Sequence, residues 1–186
     1  MSGLLKEIEE RRAKRAITDQ EVPADVIGRL MSAATLAPSC HNSQPWRFMV
    51  VTEQPGLEKL HESLTGGNYW AKKAPLLVVV ATKTSFDAKL SDGREYALFG
   101  CGLATENLLL QAVKEGLYAH PMAGFDPLMV KKAFKIPDDY IVINIVAIGY
   151  PGSFDGLSEK HVVAEQSERE RKPAEMVICH NSWSFE

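Results

Sequence analysis

Two stretches of this 186-residue chain carry the residue types that hold polar ligands. Ala37-Pro38-Ser39-Cys40-His41-Asn42-Ser43-Gln44-Pro45-Trp46-Arg47-Phe48 is polar, has proline towards both ends, and runs straight into the apolar Phe48-Met49-Val50-Val51. A donor-rich loop between a helix and a buried strand is where a rigid scaffold presents side chains to a ligand. Arg11-Arg12-Ala13-Lys14-Arg15 is a dense cationic patch. On a helix Arg15 shares a face with Arg11 and Arg12, and guanidinium forks match phosphate oxygens in pairs. The chemistry on offer is a basic clamp for a phosphate and a loop for the rest of a cofactor. Taken alone, the arginines read more plainly as a solvated face partly neutralised by Glu7, Glu9 and Glu10. A second basic group, Arg169-Glu170-Arg171-Lys172, lies near the far end, and whether the two groups meet on one anion stays open.

Other chemistries lack their residues. Gly100-Cys101-Gly102 begins like a dinucleotide fingerprint, but Thr105 stands where the final Gly or Ala belongs and the segment has a helical pattern. Its glycines mark the close approach of another helix or a ligand. The five His have no metal-ligand spacing and no Cys pair forms CxxC, so no metal is expected. No GxSxG or P-loop is present. Cys40 reads as a small loop residue ahead of a nucleophile. His120-Pro121-Met122-Ala123-Gly124-Phe125 follows a strand end, where main-chain N–H groups can face a ligand or simply connect two elements. Asn68, behind Gly66-Gly67, either bonds a ligand edge or caps the turn at Tyr69-Trp70.

The positioning elements follow from periodicity. Helices are expected over Leu4–Arg15, Ala24–Leu36 (opened by Pro23), Leu57–Leu64, Asp92–Glu115 with Gly116 as its cap, and from Asp126-Pro127 to near Ile136. Strands are expected over Trp46–Thr52, Leu76–Thr82, Leu117–His120 and Tyr140–Tyr150. Leu76–Thr82 is a continuous apolar run, as in a strand covered on both faces. After Ser153 the chain turns polar, with no clear period over Asp155–Lys172 and a strand-like stub at Val177–His180. Such a tail either wraps a partner subunit or adds an edge strand. The pattern is α+β: one sheet of mixed order with helices on both sides, in a single domain.

Charged residues are 24% and the net charge is -3, so the arginine cluster is a local concentration in a mildly acidic protein. That opposes general nucleic-acid binding. No apolar run reaches the length of a membrane span, and the charged N-terminus is unlike a signal peptide. Its arginine content fits a mitochondrial presequence, but the three nearby glutamates count against one. Three widely spaced cysteines point to reduced thiols and a cytoplasmic setting.

Across essentially its whole length the chain resembles the nitroreductase family of FMN-dependent oxidoreductases. The family's Ala-Pro-Ser-x-x-Asn-x-Gln-Pro-Trp matches Ala37 to Trp46, and its Arg-Arg-Ser-x-Arg resembles Arg11 to Arg15. The Asn of a Gly-Asn-Tyr segment matches Asn68. Further likenesses are Glu106 to Ala112 with Glu115-Gly116-Leu117, Ile148 to Pro151, and the closing Arg171-Lys172-Pro173. The resemblance implies a single, mostly antiparallel sheet flanked by helices, in a homodimer with FMN at the subunit interface. It implies that residues 153–186 wrap the partner.

By the same resemblance Arg11, Arg12, Ala13 and Arg15 lie on the FMN phosphate, helped by Arg169 or Arg171. Pro38, Ser39, Cys40 and Asn42 come from the other subunit and line the flavin. Asn68 bonds the pyrimidine edge, and Pro121, Met122, Ala123 and Gly124 back the ring. Ala13 and Cys40 stand where serine is usual, and Ala123 where some members carry Glu. The short Leu90–Gly100 region implies an open pocket. The implied activity is ping-pong transfer from NAD(P)H to small acceptors such as nitroaromatics or quinones, with no side-chain acid or base required. Dehalogenation, flavin fragmentation, heterocycle oxidation and non-enzymatic FMN binding remain open alternatives.

Overall fold

The computed structural model describes residues 3–185. Its four strands are β1 (Arg47–Val51), β2 (Leu76–Thr82), β3 (Tyr118–Met122) and β4 (Ile141–Gly149). They form one sheet in the order β1-β2-β4-β3, and every pair is antiparallel. No parallel pair occurs among the described residues, so the expected mostly antiparallel sheet is antiparallel throughout. The β2–β4 ladder sets Leu77 opposite Ala147 and carries a bulge between Val80 and Ala81. β3 is an edge strand, where Pro121 can lack an N–H without breaking a central ladder.

Alternation along β2 divides the core. Leu76, Val78 and Val80 join Val146 and Ile148 under α2 (Ala24–Thr35) and α4 (Tyr96–Lys114), with Leu30, Ala34, Ala104 and Leu108. Leu77 and Val79 join Ile145 and Ala147 on the other face. There α3 (Gly56–Ser63) and α5 (Pro127–Phe134) contribute Leu60 and Val130, and Trp70 completes the layer. Both faces of the central strand are covered, which is why its sequence is apolar without a break.

The helix ends follow local rules. α4 stops in a Schellman motif: Gly116 takes φ +73°, its N–H donates to Val113 O at 2.9 Å, and Leu117 N–H donates to Ala112 O at 2.8 Å. Asp126 caps α5, accepting from Leu128 N–H at 2.8 Å and Met129 N–H at 3.1 Å. Arg29 on α2 grips Glu115 at the end of α4 through two bonds, of 2.8 and 2.9 Å.

Both chain ends depart from expectation. Helix α1 covers Lys6–Glu10 only, and Arg11–Arg15 is non-helical. Tertiary partners replace the helical ones. Arg15 N–H donates to Glu165 Oε1 at 2.9 Å, and Thr18 N–H donates to Tyr150 O at 2.9 Å beside the end of β4. Arg169 takes up the carbonyls of Ile8 and Glu9 at 3.1 and 2.9 Å. The tail contains a helix absent from the sequence pattern, α6 (Glu159–Gln166). Val177–His180 forms no strand within this chain, and Val177 and Ile178 are exposed. Without a neighbouring strand the stub has nothing to complete its ladder.

The Arg29–Glu115 pair gives the first prediction. Arg29 holds the Glu115 carboxyl well below its ordinary 4.5, at about 2. The stabilisation is therefore complete above the ordinary value and is lost as pH falls from about 4.5 through about 2. Glu115→Gln lowers the thermal midpoint at neutral pH by about 2 °C, as a partly exposed ion pair does. Thermal scans across the acid range will show the gap to wild type closing as Glu115 protonates.

Candidate cofactor site

The two basic groups meet. Arg11, Arg12 and Ala13 line a cavity of about 250 Å³ with Glu168, Arg169, Glu170 and Arg171. Arg169 is the fastener: besides Ile8 O and Glu9 O it bonds the carbonyl of Arg11. Arg12 donates to Ser167 O at 2.8 Å. These acceptors are neutral, so the bonds fix the guanidinium groups without cancelling their charge. Arg11 has a carboxylate partner, Glu106, at 3.4 Å. Burial, and then repulsion from Arg11, Arg171 and Arg12, pulls the Arg169 pKa below its ordinary value. An anion placed among them relieves that repulsion.

Arg15 stands apart from this cavity. Its guanidinium lies 3.6 Å from the carboxylate of Glu165. It lines a different recess, with Tyr69, Trp70, Lys72 and Lys73. The helical face expected to join Arg15 to Arg11 and Arg12 therefore does not exist, because the segment carrying them is not helical.

His120 connects this segment to the sheet. Its ring packs on Trp70 at 4.7 Å between centroids, and Nδ1 donates to Lys14 O at 3.3 Å. Burial foremost, and then Arg15, pushes its pKa down to about 4, so the imidazole is neutral at pH 7. A neutral ring with a carbonyl partner on Nδ1 is the Nδ1–H tautomer.

Beyond His120 the chain leaves β3 through Ala123-Gly124. Gly124 O accepts three donors: Thr65 N–H at 3.0 Å, Thr65 Oγ1 at 2.9 Å and Asn68 Nδ2 at 2.8 Å. A Cβ on Gly124 would lie 2.6 Å from Thr65 Oγ1 and 2.8 Å from Asn68 Nδ2, so only glycine allows this approach. The N–H groups of Ala123 and Gly124 have no acceptor among the described residues. Asn68 spends its amide N–H on Gly124, which leaves Oδ1 as its outward-capable acceptor.

The loop after α2 is held in strain. His41, Asn42 and Gln44 take φ of 49°, 56° and 50°, in the left-handed region that non-glycine residues avoid. Ser39 Oγ accepts Gln44 N–H at 2.9 Å, and Thr82 Oγ1 donates to Pro45 O at 2.8 Å. Gly100 admits Pro45, whose Cγ would lie 3.1 Å from a Cβ there, while Gly102 faces open space. Pro38, Ser39 and Cys40 line a cavity of about 250 Å³ with Tyr96, Phe99, Gly100 and Leu103. None of the arginines reaches it.

Apart from Arg15, which stands with Glu165, the residues singled out from sequence thus fall into three groups. Arg11, Arg12, Ala13, Arg169 and Arg171 share a cavity; Asn68 meets Gly124, with Pro121, Met122 and Ala123 alongside; Pro38 to Asn42 lie separately. Sequence reading missed His120, Trp70, Thr65 and Glu165. His120 had a signal in its place directly before Pro121. Glu165 had none, since a glutamate in a charged tail looks solvated.

Comparison with known proteins agrees with this geometry. The profile described as the nitroreductase family matches residues 8–67 and 53–150. A protein of Archaeoglobus fulgidus, provisionally named NADH dehydrogenase/NAD(P)H nitroreductase, is 32% identical over 159 residues, covering 81% of this chain and 87% of that protein. An NADH dehydrogenase of Thermus thermophilus is 28% identical over 177 residues, covering 76% and 83%. A crystal structure described as an oxidoreductase containing FMN superposes with a TM-score of 0.89 at 26% identity, covering 98% of this chain and 94% of that one. A fold, a donor set and a sequence match that agree over most of the chain lead to one assignment: the protein belongs to the nitroreductase family.

Proposed function

We propose that the protein is an FMN-dependent oxidoreductase that takes hydride from NAD(P)H and reduces small acceptors such as nitroaromatics or quinones. The observation that carries this reading is the convergence of Arg11, Arg12, Arg169 and Arg171 on one cavity. The rest of the donor set fits FMN as well. Unpaired N–H groups at Ala123 and Gly124, and the free oxygen of Asn68, suit the polar edge of a flavin ring. The names of similar proteins, which speak of FMN, NADH and NAD(P)H, support the same reading.

FMN supplies the acceptance and donation of hydride when bound. The protein's residues bind and orient. Arg11, Arg12, Arg169 and Arg171 hold the phosphate, with the Ala13 backbone beside it. Asn68 would fix the pyrimidine edge, Arg15, which lies outside the phosphate cavity with Tyr69 and Trp70, would face the ring end, and the N–H groups of Ala123 and Gly124 would donate to the ring edge. Pro121 and Met122 back the ring. No side-chain acid or base is assigned. NAD(P)H and the acceptor would use one open place in turn, the order a ping-pong cycle requires.

A single chain leaves this site half-walled, because Pro38, Ser39, Cys40 and Asn42 lie apart from the arginines. We assign them to the site of a second copy in a homodimer. Exposed Met176, Val177, Ile178 and Trp183 in the tail suit contact with that copy. No helix among the described residues is long and apolar enough to cross a membrane. Its three free cysteines accord with a cytoplasmic setting.

The deciding experiment is the visible spectrum after FMN addition and desalting, then after anaerobic NAD(P)H. A retained flavin band that bleaches is expected. A band that does not bleach makes the protein a flavin carrier, and no band overturns the clamp. Arg12→Ala weakens FMN binding about tenfold or more, as loss of a charge-assisted bond does; fluorescence titration reads this. Initial rates against NAD(P)H at several acceptor concentrations give parallel double-reciprocal lines; intersecting lines exclude the shared place. Gly124→Ala pushes Asn68 aside and weakens FMN retention, measured by the same titration, while circular dichroism stays that of the wild type.

A further inference from the structure

The most deeply buried charged group near the site is one the reading above does not use. Glu165 on α6 has a side chain 1% exposed. Its Oε1 accepts Arg15 N–H at 2.9 Å and lies 3.6 Å from the Arg15 guanidinium. Its own carbonyl accepts from Lys14 Nζ. A carboxylate is costly to bury, and a glutamine would take the same N–H bond without that cost. The negative charge therefore has its effect on Arg15. That arginine is outside the four-arginine cavity and next to Lys14, whose carbonyl bonds His120 at the start of the Pro121–Gly124 segment.

We propose that Glu165 is a positioning residue that fixes Arg15 at the ring end of the cofactor site and cancels most of its charge there. This rests on the FMN reading. Two electrons and one proton added to FMN leave one additional negative charge on the ring. A bare guanidinium beside the ring favours that form, and a carboxylate against the guanidinium removes the preference. Glu165 thereby keeps the potential of the bound flavin low and makes the loaded protein a stronger reductant towards its acceptor.

The test is the midpoint potential of FMN bound to the full-length protein, read by absorbance in a dye-coupled reductive titration. Glu165→Gln keeps an oxygen for Arg15 N–H and removes the charge. It raises the affinity for reduced over oxidised FMN about tenfold, about 30 mV for a two-electron couple. Arg15→Gln shifts the potential the other way, and the double variant Arg15→Gln/Glu165→Gln returns it to the wild-type value. A merely structural role for Glu165 would alter binding of both redox forms alike and leave the potential in place. Equal potentials in wild type and Glu165→Gln overturn the proposal. So do equal potentials in Arg15→Gln and the double variant, the pair that decides the matter if Glu165→Gln does not fold. Failure of the wild type to bind FMN overturns the FMN reading itself, and this proposal falls with it.

Discussion

The arrangement depends on a hydrogen-bond exchange between the two ends of the chain. The N-terminal segment offers main-chain carbonyls at Ile8, Glu9 and Arg11, and the tail answers with the Arg169 guanidinium. The tail offers carbonyls at Glu165 and Ser167, and Lys14 and Arg12 answer. Cations that bond to neutral carbonyls are held in place yet keep their charge. Pairing the same arginines with carboxylates would fasten the ends equally well and abolish the electropositive cavity. Two carboxylates do meet these arginines: Glu106 lies against Arg11, and Glu165 against Arg15, where the segment leaves that cavity.

The sheet makes this exchange possible by fixing where its loops end. β4 runs the width of the core, and the residues just beyond it, Tyr150 and Pro151, pair with Thr18 and Ile17, so the cationic segment is anchored on one side. The neighbouring edge strand β3 delivers His120 under Lys14 and then Gly124 against Thr65 and Asn68. Hydrophobic burial on both faces of β2 and β4 provides the rigidity, and the polar groups at the strand ends need contribute little to stability.

Much of this was legible in the residues. Leu76–Thr82 is readable because a strand covered on both sides has no polar position to interrupt it, and α4 ends at Gly116 because the turn requires a left-handed residue. The arginines suited an anion by type, but taken alone they read more plainly as a solvated face. Their meeting was not readable, since the contact between Arg169 and Arg11 spans 158 positions and no local pattern encodes it. The expected Leu4–Arg15 helix fails for the same reason: its second half finds better partners in the tail than in itself. α6 escaped notice because it is pinned by polar groups, Glu165 to Arg15 and His161 to Tyr69, and shows no apolar stripe.

A cavity built from residues 11–13 and 168–171 also has an order of assembly written into it. During synthesis the first half of its wall emerges before the sheet and the second half after every strand of it. Domains fold as units while the chain is being made. The core of this one can form before the cavity exists, with the N-terminal arginines exposed and mutually repelling until the tail arrives. Closure of the cavity is therefore a late event that follows the sheet, and a chain released short of Arg169 would be folded through its sheet yet lack the second wall.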